Sequence, residues 1–103
     1  MAKSIIKSEF DIVMTMIETI YQHYMQGAHD VWVDGMLSHW LTRMVVLMEL
    51  EGNNEKVLDR LHPGIIILIS GFFDRKYNEK GFSELLHSLI YHEILDIDKC
   101  KSL

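Results

Sequence analysis

Six histidines among 103 residues are the natural place to look for chemistry. Glu84 and His87, in the run Glu84-Leu85-Leu86-His87, have the i, i+3 spacing that puts a carboxylate and an imidazole on one helix face. Di-metal helical bundles use that unit, but they need two such pairs and two further glutamates from facing helices. This chain holds one pair. A second copy would have to supply the other, with Glu18 as an added carboxylate, so the pattern falls short of a metal centre and no metal or other cofactor is expected. His92 and Asp96, four apart, read as an exposed helix-face pair worth a few tenths of a kcal/mol.

Nucleophilic catalysis asks for a thiol or hydroxyl next to a base and an orienting group. Cys100 stands alone near the polar C-terminal end, and Ser38 and His39 are adjacent, so on a helix they project in different directions. Gly-x-Ser-x-Gly, Walker and Gly-x-Gly-x-x-Gly patterns are all absent from the sequence. Small helical ribonucleases that set an arginine and a histidine a few residues apart on one helix are not matched either. Arg43 has no histidine downstream in its helix, and Arg60-Leu61-His62 is too tightly spaced. The expectation is a protein that is not an enzyme.

Charge narrows the partners. Net charge is −5, and no lysine or arginine occurs from Ser8 to Thr42, where Glu9, Asp11, Glu18, Asp30 and Asp34 fall. A second such gap runs from Gly81 to Asp98. Tracking a phosphate backbone needs cations that neutralise phosphates and release counterions. Direct nucleic-acid binding is therefore not expected, and the Arg75, Lys76, Lys80 group, flanked by Asp74 and Glu79, reads as a solvated connector.

The elements that position these residues are helices throughout. A chain of this length forms one domain with a core that buries roughly two-thirds of the unfolded surface. Ile6, Phe10, Val13, Ile17, Ile20 and Tyr24 recur at steps of four and three, the seam of a first helix widened by Met14, Tyr21 and Met25. Ser4 is its expected start, Ser8 with Asp11 being a weaker capping match, and Gly27 its end. Asp30 is the expected N-cap of a second helix, with Asp34 favouring its dipole. Val33, Leu37, Trp40, Met44 and Leu47 form its seam, and Gly52-Asn53-Asn54 closes it. Asn54 caps a third helix to about Leu61. Pro63 then breaks or kinks the chain and suits the first position of a renewed helix through Ile65 to Arg75. A last helix begins near Asn78 and carries Phe82, Leu85, Leu86, Leu89, Ile90, Ile94 and Ile97. The isoleucine run Ile65–Ile69 invites a strand, but nothing offers it a second strand to pair with. The fold expected is a compact all-α bundle of four helices, five if Pro63 separates two.

Two runs are apolar in every direction around a helix: Met44-Val45-Val46-Leu47-Met48 and Ile65-Ile66-Ile67-Leu68-Ile69. A helix apolar all round must be buried all round. A small monomer leaves each helix a wet side, so a homodimer is expected, with Val46, Ile65 and Ile67 at its interface. Gly64 and Gly71, seven apart, would let another helix come close.

The sequence lacks the apolar core and cleavage site of a secretory signal at its start. Its longest apolar stretch, near Ile65–Phe73, is far short of the roughly 20 residues of a membrane span. With a lone cysteine, a cytoplasmic protein without a membrane partner is expected.

The functional expectation is a small binding protein, an inhibitor, adaptor or immunity-type regulator of bacterial or phage type. It would occlude a basic or nucleic-acid-handling protein. Asp11, Glu18, Asp30 and Asp34 would steer that partner, and Tyr21, Trp32 and His39, off the seam, would anchor it. Tyr24 and Trp40 are expected in the core. The alternative is a ligand-binding helical dimer with a pocket of Tyr, Trp and His; a phosphorylated ligand there would have to use Arg43, Arg60 or Arg75.

Overall fold

Serine, histidine and proline open the first, second and fourth helices, and glycine follows the first two. A computed structural model describes residues 8–52, 54–76, 79 and 81–95. It contains five helices: α1 Glu9–Met25, α2 Asp30–Glu51, α3 Asn54–Arg60, α4 Pro63–Lys76 and α5 Phe82–Tyr91. Among the described residues there is no strand, and the isoleucine run lies inside α4. Nor is any helix there long and apolar enough to cross a membrane.

The start of α1 corrects the expectation of Ser4. Ser8 has extended backbone (φ −65°, ψ 158°), and its hydroxyl accepts the Asp11 N–H at 3.1 Å, closing the helix off at Glu9. The start of α2 is corrected too. The cap is His29, whose Nδ1 accepts the Val31 N–H at 3.1 Å, and Asp30 is the first helical residue. The C-terminal stops fall as expected: Gly27 and Gly52 follow α1 and α2 with φ of +95° and +65°, conformations that cost a side chain least at glycine. Pro63 opens α4, where its missing N–H has no helical partner to lose. α5 begins at Phe82 rather than near Asn78; Asn78 itself, with Ile6, Asp96, Ile97 and Cys100, lies outside the described residues.

Core packing follows the apolar seams. α1 and α2 are joined by the short turn Gln26–His29 and lie along one another as a helical hairpin. α4 packs on α1 and α2, and α5 on α2 and α4. Ile17, Ile20, Leu37, Leu41, Ile69, Phe72, Phe73 and Leu89 are fully enclosed. Truncating Phe72 or Phe73 to alanine is expected to cost about 3–5 kcal/mol.

The two all-round apolar runs are mostly absorbed within one chain. In α2, Met44, Val45, Leu47 and Met48 are buried and only Val46 is exposed. In α4, Ile65, Leu68 and Ile69 are buried, Ile66 is half-buried and Ile67 is 71% exposed. Ile65, at 0% exposure, therefore cannot be an oligomer contact; α4 turns it inward. Gly64 is likewise spent inside the chain, since a Cβ there would lie 2.4 Å from the Tyr21 Oη.

Candidate functional site

The carboxylates of the arginine-free stretch are met by arginines from far along the chain. Arg60, at the end of α3, reaches the face of α1 that carries Asp11, Thr15 and Glu18. It donates to both Glu18 oxygens (Nε 3.0 Å, Nη2 3.2 Å), to Asp11 Oδ1 at 3.4 Å and to Thr15 Oγ1 at 3.5 Å. Arg75, in the last turn of α4, holds Asp34 of α2 through two hydrogen bonds. Arg43 pairs with Glu9. The hydrogen bonds to Glu18 and to Asp34 raise the pKa of Arg60 and Arg75 above their already high usual value, burial acting in the opposite sense. All three arginines are cross-links between helices, and none stands ready for a phosphate.

This alters the acidic surface. Asp34 is buried, at 8% exposure, and is a structural carboxylate, contrary to its expected place on a partner-facing surface. Asp11 and Glu18 remain at the surface but are engaged by Arg60. Asp30 is exposed.

Histidines serve the helix ends. His62 repeats the role of His29, its Nδ1 accepting the Gly64 N–H at 3.1 Å at the start of α4. Both rings therefore carry the hydrogen of their neutral form on Nε2. His92 lies just past the end of α5 and not on a helix face; its expected partner Asp96 lies outside the described residues. α5 ends at Tyr91, and His92 Nδ1 bonds Asn54 Nδ2 at 3.0 Å, tying α5 to the start of α3. Among the described residues no three His, Cys, Asp or Glu side chains are grouped as a metal would need.

Beyond Tyr21 the end of α1 projects past the core, every residue from Gln22 to Gly27 being exposed. Tyr24 is 42% exposed, not the core residue its spacing suggested. Across the turn, Val31 and Trp32 open α2 at 75% and 42% exposure. His23 and Trp32 meet edge to face, centroids 5.2 Å apart, which fixes the indole against the turn. Tyr24, Met25, Val31 and Trp32 thus form an exposed apolar tip with Asp30 among them. Tyr21 is not part of it: half-buried, it stacks edge to face on His62 beneath Gly64.

His39 and Trp40 lie apart from the tip. With Glu9, Ile12 and Arg43 they line an open recess of about 510 Å³ between α1 and α2. Its cation is already matched by Glu9, and Trp40 is half-buried against the core, near its expected place.

Comparison with protein-family models, with curated proteins and with solved structures yields no match. The tip, the caps and the cross-links are therefore read from this chain alone. Sequence spacing missed all the arginine contacts, which join residues 41 to 49 positions apart in the cases of Arg60–Asp11, Arg60–Glu18 and Arg75–Asp34. One signal was present: Asp11, Thr15 and Glu18, at i, i+4 and i+7, make a polar stripe on one face of an otherwise apolar helix.

Proposed function

We propose that this protein is a non-enzymatic binding module that engages another protein through the tip between α1 and α2, as an inhibitor, adaptor or similar regulator. One observation carries the reading. Four large apolar side chains, Tyr24, Met25, Val31 and Trp32, are exposed at a single interhelical turn beside the exposed Asp30, with Arg75 of α4 lining a recess next to Tyr24 and Met25. A tryptophan or tyrosine held by a rigid helix end loses little entropy on docking, and such residues dominate binding energy at interfaces. Net charge of −5 favours a basic partner, encounter being aided by long-range attraction. The carboxylates that count for this are the exposed ones such as Asp30, because Asp34 is buried and Asp11 and Glu18 are matched within the fold.

The second reading, a small-ligand site, has the recess at Ile12, His39 and Trp40 in its favour. The pairing of Arg43 with Glu9 argues against an anionic occupant.

Trp32→Ala and Met25→Ser test the proposal. Both residues are exposed, so the variants should keep native helicity by circular dichroism while losing a stoichiometric protein partner recovered with the wild type from host lysate. Recovery of that partner undiminished by both variants would contradict it.

A further inference from the structure

A recess of about 300 Å³ lies between the end of α1 and α4 and runs into the tip. Its α1 wall is formed by Tyr24 and Met25, which are themselves part of the exposed tip. Ile67 forms the wall on α4. Tyr21 closes one end above Gly64, where a Cβ would lie 2.4 Å from the Tyr21 Oη. Arg75 closes the other end, one turn beyond Gly71. Gly71 leaves the space between them open. An added Cβ there would meet only Arg75 Nη1, at an ordinary 3.5 Å, so a larger side chain at this position would fill the recess without disturbing the fold.

Hydrogen-bonding groups at both ends of the recess are unspent. Arg75 gives Nε and Nη2 to Asp34, while its Nη1 has no partner among the described residues. Tyr21 Oη makes no hydrogen bond among them either. Charge then selects what can enter. The pKa of Arg75 is raised first by its hydrogen bond to Asp34, against the effect of burial, and also by the charge of Asp30, which puts Asp30 near this end of the recess. Asp34 is buried and matched by the arginine, whereas Asp30 is exposed and has no ion pair among the described residues. One arginine faces two carboxylates, so the mouth of the recess holds one negative charge in excess. It repels an anion and attracts a cation.

From the open apolar recess, the unspent donors and the excess negative charge we infer that the recess takes one large apolar side chain of a partner protein, from a segment with a lysine or arginine beside it in sequence. The side chain lies between Met25 and Ile67 over Gly71, a main-chain carbonyl next to it accepts from Arg75 Nη1, and the cation meets Asp30. The volume is at the lower end of ligand cavities and suits a single leucine, methionine or phenylalanine. A second copy of this chain would bring the same excess negative charge to the contact, which opposes self-pairing there. The inference rests on the reading of the tip as the binding surface and specifies the chemistry of its partner.

Random peptides displayed on phage supply the probe. Selection on the wild-type protein should enrich a large apolar residue adjacent to lysine or arginine, and the selected peptides, synthesised with a fluorophore, should bind in an anisotropy titration. Gly71→Leu should weaken them about tenfold or more, with circular dichroism unchanged. Asp30→Asn should weaken them about threefold, a difference that fades at high salt. In a methyl NMR titration a selected peptide should shift Met25 and Ile67 and leave Val46, exposed elsewhere on α2, in place. Peptides that bind Gly71→Leu as tightly as wild type but are lost with Trp32→Ala would overturn the recess and leave the tip standing as the binding surface. Enrichment of acidic sequences, or no enrichment at all, would overturn the inference too. So would movement of the Met25 and Ile67 signals on concentrating the protein alone, which would assign the recess to a second copy.

Discussion

Arg75 holds Asp34 with two hydrogen bonds, Nε to Oδ2 at 3.1 Å and Nη2 to Oδ1 at 2.5 Å, yet the two side chains are unequally covered, 39% exposed for the arginine and 10% for the aspartate. That inequality predicts asymmetric variants. Arg75→Met strands a carboxylate away from water and should cost about 2–4 kcal/mol, somewhat below the range for a fully buried pair. Asp34→Leu leaves a guanidinium that can turn to solvent and should cost less. The double variant should recover most of the loss, because a matched apolar pair replaces a matched ionic one. Urea unfolding of the three proteins checks the order; equal costs for the two single variants would show that Asp34 is wetter than its burial indicates.

The histidine caps make a second prediction. His29→Ala and His62→Ala should each lose about 1 kcal/mol, whereas His29→Asn, which keeps an acceptor at the cap, should stay within a few tenths of wild type. Thermal melting reads both. A chelator should leave the melting temperature unchanged if these rings hold backbone N–H groups and not a metal. A large drop with chelator would return the histidines to metal chemistry.

Two glycines in the same helix should answer oppositely to alanine. At Gly71 the added methyl meets nothing closer than 3.5 Å, so Gly71→Ala should stabilise the isolated chain by up to about 1 kcal/mol through helix propensity. At Gly64 the methyl would lie 2.4 Å from Tyr21 Oη and 2.9 Å from His62 Cε1. Gly64→Ala should therefore destabilise, the Tyr21–His62 contact having to open. Measured at concentrations where the chain is monomeric, a gain at both sites would mean that Tyr21 moves aside freely.

Charge effects on partner binding should now be confined to exposed groups. Asp30→Lys is expected to slow association a few-fold and to flatten its salt dependence, since rim charges act on encounter more than on residence. Stopped-flow mixing at two ionic strengths measures this. An Asp30→Lys rate equal to wild type at low salt would remove electrostatic steering from the account.

Helix type and order were legible because each helix repeats a local rule: seams at three and four, glycine at the ends of α1 and α2, proline opening α4. Periodicity also placed most buried residues of α2 and α5. What it could not show were pairings across distance. Asp34 looked like a helix-start carboxylate because its partner lies in α4, and Tyr24 looked like core because a seam does not reveal where a helix outruns its neighbours. Ser8 and His29 displaced Ser4 and Asp30 as caps for a related reason: several polar residues near each start were able to cap, and side-chain geometry chose between them. Of the expected site residues, the exposure of Trp32 and Asp30 was legible, whereas Tyr21 and Asp34 turn out to be built into the fold.

The central claim, that the α1–α2 tip is the working surface, is tested most directly by site-specific photo-cross-linking in the native host. A photoreactive residue is placed at Val31 or Trp32 and, as controls, at the exposed α5 positions Glu84 and His87. The account predicts a single protein adduct from the two tip positions and none from α5. Adducts of equal yield from both regions, or from α5 alone, would contradict it.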